Sequence, residues 1–340
     1  MDQKMISPPK ERQIFIDAAR GISIILVVLW HTFDERLFYN GPLVFLRMPL
    51  FFFMSGLFAT SLLTTTFSKV VRDKVGQLLW IFVIWSWILY LTRSGLKQLA
   101  TTGTLDFYPI YSVFWNPPPT MWFVYALAIG YLLTRILAGV PKLYVFIASL
   151  ILYLWSVSYG GWADPPFVLK MFRLLPAFFA AVYFLDAIIA AVKKYYRTWP
   201  VSAAVFTVAA YFLYYSEWSK VGFLTALVSA VGIFGLLSFC FWATGSAFVR
   251  AAAWFGERSI YVYVMHRIVI TYFGEAAGVL SVAESWIVQA AIFVCAVILP
   301  PTIGKWVLDG YLPFLIRAPW LKSRRARIAT ATEVPNTAAS

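Results

Sequence analysis

The chain has 340 residues, 61% of them hydrophobic and 13% charged, and its mean hydropathy is +0.76. That balance excludes a soluble globular domain and predicts an all-α polytopic membrane protein. The formal charge of +13 is spread over short connections and the tail, which reads as membrane topology and excludes a nucleic-acid surface.

Residues 1–13 are polar and carry Lys4, Lys10 and Arg12, as suits a cytosolic lead. Ten apolar segments follow, over 14–33, 43–63, 75–91, 120–137, 143–157, 167–192, 201–215, 223–242, 259–273 and 286–308, and they make 14–316 a transmembrane domain. The first segment is too long and too charged for a cleaved signal peptide. With the N-terminus inside, nineteen of the 28 Lys and Arg fall on the inner side and six on the outer. That bias predicts about ten spans with both termini cytosolic. The stretch 92–119 is expected to be an outer loop, stiffened by WNPPP, and 317–340 a basic tail that becomes disordered. Cys240 and Cys295 sit in apolar runs and suit packing, so neither a disulfide framework nor a metal site is expected.

The first segment carries Asp17, Arg20 and His31 at membrane depth, where a charged side chain costs about 2.5 to 3.5 kcal/mol on insertion scales. At roughly 100° per residue, His31 returns to within about 20° of the Arg20 direction, and Asp17 lies about 60° away. The three share a face, with Arg20 and His31 roughly 16 Å apart along it. The only other histidine, His266, lies in the ninth segment, where Ser259, Tyr263 and His266 fall on one face at i, i+4 and i+7. Buried histidines often serve as polar glue between helices, but intramembrane ionisable groups more commonly mark function. Arg267 points about 100° away from His266 and is expected to line another wall.

Other candidates are less sharply defined. Ser55 lies beside Gly56 in RMPLFFFMSGLF without the GxSxG elbow of a serine nucleophile. Arg47 is placed to snorkel toward the outer interface. Lys69 and Arg72 form a basic cluster on the same predicted side as Arg20, suited to topology or to a polyphosphate ligand. Trp122 opens the fourth segment as an interfacial anchor or a pocket wall.

Taken together, the Arg, ten residues, His spacing with Asp17 and Gly21, the PLFFF-SG run from Pro49 to Gly56, Trp122 and Phe123, and the closing set Gly256, Ser259, Tyr261, Tyr263 and His266 resemble the membrane acyltransferase family 3. The resemblance is to its stand-alone form, without a fused esterase-like domain. It implies an O-acyltransferase of the cytoplasmic membrane, with acyl-CoA, acetyl-CoA above all, as donor and a hydroxyl of a cell-envelope glycan or glycolipid as acceptor. The bilayer and the glycan are its expected partners, and an oligomer is compatible with it. The resemblance implies His31 as catalytic base, His266 and Asp17 as further catalytic groups, Arg20, Lys69 and Arg72 as cofactor ligands, and Ser55, Trp122, Ser259 and Tyr263 at the substrate or oxyanion. Direct transfer and a covalent acyl-histidine both remain open. A rival from another class is a proton-coupled transporter or flippase using the same ionisable groups as a relay.

Overall fold

A computed structural model describes residues 10–33, 39–160 and 166–321, without the side chains of 10–13 and 160. The predicted positions Lys4, Arg36, Lys322, Arg324, Arg325 and Arg327 lie outside this set, as do the side chains of Lys10 and Arg12.

Every predicted apolar segment contains a helix, and no strand occurs among the described residues. We number the principal helices α1 (Lys10–Phe33), α2 (Val44–Gly56), α3 (Phe67–Thr102), α4 (Trp122–Ile136), α5 (Lys142–Gly160), α6 (Leu175–Tyr195), α7 (Trp199–Tyr214), α8 (Gly222–Trp242), α9 (Ala247–Glu257), α10 (Ser259–Val279) and α11 (Trp286–Gly310). Eight stretches are long and apolar enough to cross a membrane. One of them, Phe167–Tyr214, holds both α6 and α7, whereas α10 is not among the eight because its polar residues dilute its hydropathy. Exposed apolar stripes at helical spacing, such as Val201, Val205, Val208 and Phe212 on α7 and Leu143, Ile147, Ile151 and Leu154 on α5, suit contact with lipid.

The elements begin where local chemistry permits. Pro176 and Pro200 stand in the first turns of α6 and α7, where a missing N–H costs nothing. Helix α4 starts after the triple proline, and the Pro118 carbonyl accepts from the Met121 and Trp122 amides. Helix α9 is capped by Ser246, whose side chain accepts from the Val249 amide at 3.2 Å.

Two findings depart from the sequence expectations, and a third concerns the start of the tail. Helix α3 is longer than its apolar segment: it starts at Phe67, carries π-helical turns at Val71–Val75 and Leu91–Gly95, and continues into the expected loop. Leu96, Lys97, Gln98, Leu99 and Ala100 are good helix formers despite their polarity, and the helix ends at Gly103, whose φ of 69° supplies a left-handed cap. Helix α9 occupies what reads as a short connection. Residues 317–321, at the start of the expected basic tail, lie against α3: Gln77 bonds the Ile316 carbonyl and the Ala318 amide, and Trp320 donates to the Arg72 carbonyl.

Helix α1 is the seam between two apolar cores. Its Phe15, Ala18 and Ala19 join a cluster with α2, α7, α8 and α9, while Ile24, Val27 and Val28 join one built from α3, α4, α6, α10 and α11. Its tightest contact is with α9. A Cβ on Gly21 would stand 1.9 Å from the Ala252 carbonyl oxygen, and one on Gly256 would stand 1.8 Å from that of Asp17. Both positions therefore require glycine, and the two backbones meet directly. The chain then breaks at Arg258 (φ −108°, ψ 11°) and turns into α10, which brings Ser259 to Arg20.

Candidate active site

Where α1, α2, α4 and α10 meet, they enclose a cavity of about 150 Å³. Arg20, Ser55, Ser259, Tyr131 and Tyr263 line it, with a surround of Phe51, Met54, Phe58, Phe123 and Leu127. It is a mostly apolar chamber with one cation and a few hydroxyls, the composition expected of a small-molecule site.

Arg20 is fixed from two directions. Its Nε donates to Ser259 Oγ at 2.8 Å, and its guanidinium lies 5.0 Å from the Phe58 ring centroid. This use of Nε leaves the two terminal nitrogens as a fork for an anion or a carbonyl. Asp17 does not line the cavity, and no ion pair joins it to Arg20 among the described residues. Its carbonyl is instead the surface on which Gly256 rests.

The two histidines meet. The rings of His31 and His266 lie 5.3 Å apart between centroids, tilted by 32°. His266 Nδ1 stands 2.9 Å from the Val262 carbonyl oxygen and 2.8 Å from that of Tyr263. Carbonyls only accept, so Nδ1 holds a proton. The ring's Nε2 is buried and has no hydrogen-bond partner among the described residues. Arg267 also belongs here, since its guanidinium approaches the His31 carbonyl at 3.5 Å. The sequence expectation of a separate wall is thus corrected, because α10 lies against α1 closely enough for neighbouring directions to reach the same partner.

The remaining candidates are distributed unevenly. Ser55 lines the cavity, but its hydroxyl proton is given to the Phe51 carbonyl at 2.8 Å, as is common for serine in an apolar helix. Tyr263 lines it too and donates to the Thr120 carbonyl. Trp122 stacks on Phe52 at 6.3 Å and does not face the cavity. Lys69 and Arg72 are exposed on α3, outside the cavity lining, and Arg72 pairs with Asp73 at 2.8 Å. Arg47 does not snorkel. It is 4% exposed, donates to Asn40 Oδ1 at 3.2 Å and stacks 4.6 Å from the Trp30 ring, a site where polar partners inside the protein replace the interface.

Sequence reasoning missed the hydrophobic part of the site. Phe58 and Tyr131 carry no signal that separates them from the other aromatics of an apolar chain, and Phe51 and Phe123 fall in the runs that carry the resemblance without a role being read for either. No group of three or more His, Cys, Asp or Glu able to hold a metal occurs among the described residues.

The chain is similar to two curated relatives over part of its length. It is 31% identical over 146 residues to the nodulation protein NolL of Sinorhizobium fredii (strain NBRC 101917 / NGR234), covering 38% of this chain and 37% of the relative. It is 27% identical over 154 residues to the nodulation protein NolL of Mesorhizobium japonicum (strain LMG 29417 / CECT 9101 / MAFF 303099), covering 41% of this chain and 39% of the relative. The chain thus spans about two fifths of the length of the curated relatives it matches. No solved structure matches it. Residues 13–305 match the family described as an acyltransferase domain, which takes in the cavity and both histidines, and the protein belongs to that family.

Proposed function

We propose that the protein transfers an acyl group, acetyl in the first instance, from acyl-CoA to a hydroxyl of a cell-envelope glycan or glycolipid at the cytoplasmic membrane. The observation that carries this reading is the order of groups along α1: Arg20 at a cavity, then His31 against His266 farther along the same helix.

In this reading the Arg20 end faces the cytosol. The free fork of Arg20 holds a phosphate or the amide oxygens of the pantetheine arm, while Lys69 and Arg72, exposed near the start of α3, meet the nucleotide phosphates. Asp17 keeps the local charge of the Arg20 end moderate. The arm lies in the apolar cavity and carries the thioester toward the histidines. His31 takes the proton of the acceptor hydroxyl as its oxygen bonds to the thioester carbon, the carbon–sulfur bond breaks, and the proton passes to the departing sulfur. The ring of His266 lies against that of His31 and stabilises the proton that His31 carries. Ser259 keeps Arg20 aimed, and Tyr263 and Ser55 border the path of the thioester.

The test is mass spectrometry of envelope glycans from cells with the intact gene and with a His31→Ala copy. The mass difference names the acyl group. Normal acylation at normal protein level in the variant would remove His31 from the chemistry.

A further inference from the structure

Neither histidine lines the cavity that holds Arg20. Along its lining stands an aromatic cluster in which Phe51 and Phe123 have ring centroids 4.3 Å apart, Phe123 and Tyr263 5.5 Å, and Phe51 and Tyr263 6.2 Å. The Tyr263 ring lies in turn 6.4 Å from that of His266. All three are buried core residues, and all three also border the cavity. The cavity is therefore bordered by packed rings, one of which, Tyr263, also neighbours His266.

We propose that Phe51, Phe123 and Tyr263 set the acyl length that this protein accepts, admitting a short acyl group to the histidines and rejecting longer chains. The proposal rests on the acyl-CoA donor argued above and adds the residues that select it. The three rings differ in how firmly they are held. Tyr263 is fastened through its hydroxyl to the Thr120 carbonyl, in the turn before α4. Phe51 follows Pro49, which interrupts the hydrogen bonds of α2, and that helix passes into a 3-10 turn at Leu57. Phe51 and Phe123 have no polar tether and can turn about their own side-chain bonds. A thioester that displaces them meets Tyr263, the neighbour of His266, so each added methylene must push an aromatic ring out of close packing. Apolar pockets of this kind discriminate by about ten- to two-hundredfold per methylene.

The experiment uses the full-length protein in proteoliposomes with membranes that supply the glycan, and compares acetyl-, propionyl-, butyryl- and hexanoyl-CoA. In the wild-type protein kcat/KM should fall about tenfold or more with each added methylene. Phe123→Leu and Phe51→Leu should each raise the butyryl-to-acetyl ratio about tenfold. Phe206→Leu, which shortens a buried ring in the α7 core away from the cavity, should leave the ratio unchanged. Equal use of acetyl and butyryl donors by the wild-type protein overturns the proposal without any variant. An unchanged ratio in a variant that elutes as the wild type does, or an equal shift in Phe206→Leu, overturns it as well. Transfer from none of the four donors would defeat the donor assignment itself, an outcome distinct from transfer with a flat length dependence.

Discussion

Replacing Gly256 by Ala is the sharpest probe of how the site is held. The added Cβ would lie 1.8 Å from the Asp17 carbonyl oxygen, where 3.0 Å is the practical limit, so α9 must retreat from α1 by at least about 1.2 Å (3.0 minus 1.8). The obstructing atoms are backbone in the middle of a helix and have no rotamer by which to yield. Overpacking usually costs about 1–3 kcal/mol, and a gap of about 1 Å along the rest of the contact forfeits up to half of its dispersion energy. A loss of about 3 kcal/mol or more is expected, seen as a clear drop in melting temperature of the detergent-purified protein. The same retreat carries Ser259, three residues on, away from Arg20. Their 2.8 Å bond would open to about 4 Å, past hydrogen-bonding distance, and misplacement by 1 Å can cost about a hundredfold in rate. Gly274→Ala is the control, because nothing lies within 4 Å of the added methyl and a helix-interior glycine is replaced, so stability should hold or rise slightly. A Gly256→Ala protein that melts within about a degree of the wild type would refute the direct backbone contact.

Three further substitutions probe the roles of individual groups. Arg20→Lys removes both the Nε bond to Ser259 and the planar fork, so KM for acetyl-CoA should rise about tenfold with a smaller change in kcat, and an unchanged KM would dissociate Arg20 from the donor. His266→Asn retains a donor for the Val262 and Tyr263 carbonyls but lacks the buried, unpartnered Nε2 of the ring that lies against His31. It should keep wild-type thermal stability and lose about a hundredfold in kcat, whereas full activity would make His266 purely structural. Arg47→Lys should destabilise more than Arg47→Met, since a compact ammonium in that buried site neither forks to Asn40 nor stacks on Trp30 as guanidinium does, while methionine at least fills the space. Melting curves of the two variants decide it, and the reverse order would show that the charge itself is what the site needs.

The sequence is informative where a costly residue interrupts an apolar background. Arg20, His31 and His266 stand out because placing them in hydrocarbon needs a reason, and the helical period then predicts that Arg20 shares a face with His31, and Ser259 with His266. The structure joins those faces at two points, Arg20 to Ser259 and His31 to His266. The same logic fails for Phe51, Phe123 and Phe58, because one more Phe in a chain with 30 costs nothing and so signals nothing. It also fails for α9, whose 11 residues are too few to give a membrane signal and whose role depends on Gly21 and Gly256 meeting across 235 positions of sequence. The length of α3 was hidden for a related reason: polar residues end a hydropathy segment without ending a helix, since backbone hydrogen bonding continues wherever propensity allows.

The two contacts between α1 and α10 carry information about the path of the chain. Arg20 precedes His31 on α1, and Ser259 precedes His266 on α10, so joining the first pair and the second together requires both helices to run in the same direction. The residue steps differ, eleven on α1 against seven on α10, which at 1.5 Å per residue is about 16 Å against about 10 Å. The long Arg20 side chain absorbs part of this mismatch by reaching toward Ser259, and the tilt of the helices absorbs the rest. Helices that run the same way in a membrane have an odd number of crossings between them, as the first and ninth of the ten predicted segments do with seven. In the proposed reaction, a donor bound at Arg20 and a proton taken at His31 are then referred to one pair of parallel helices, fixed at one end by the glycine contact with α9. A shift of either helix along its axis would disturb both contacts together, so the Arg20–Ser259 bond and the His31–His266 pair share a single mechanical reference.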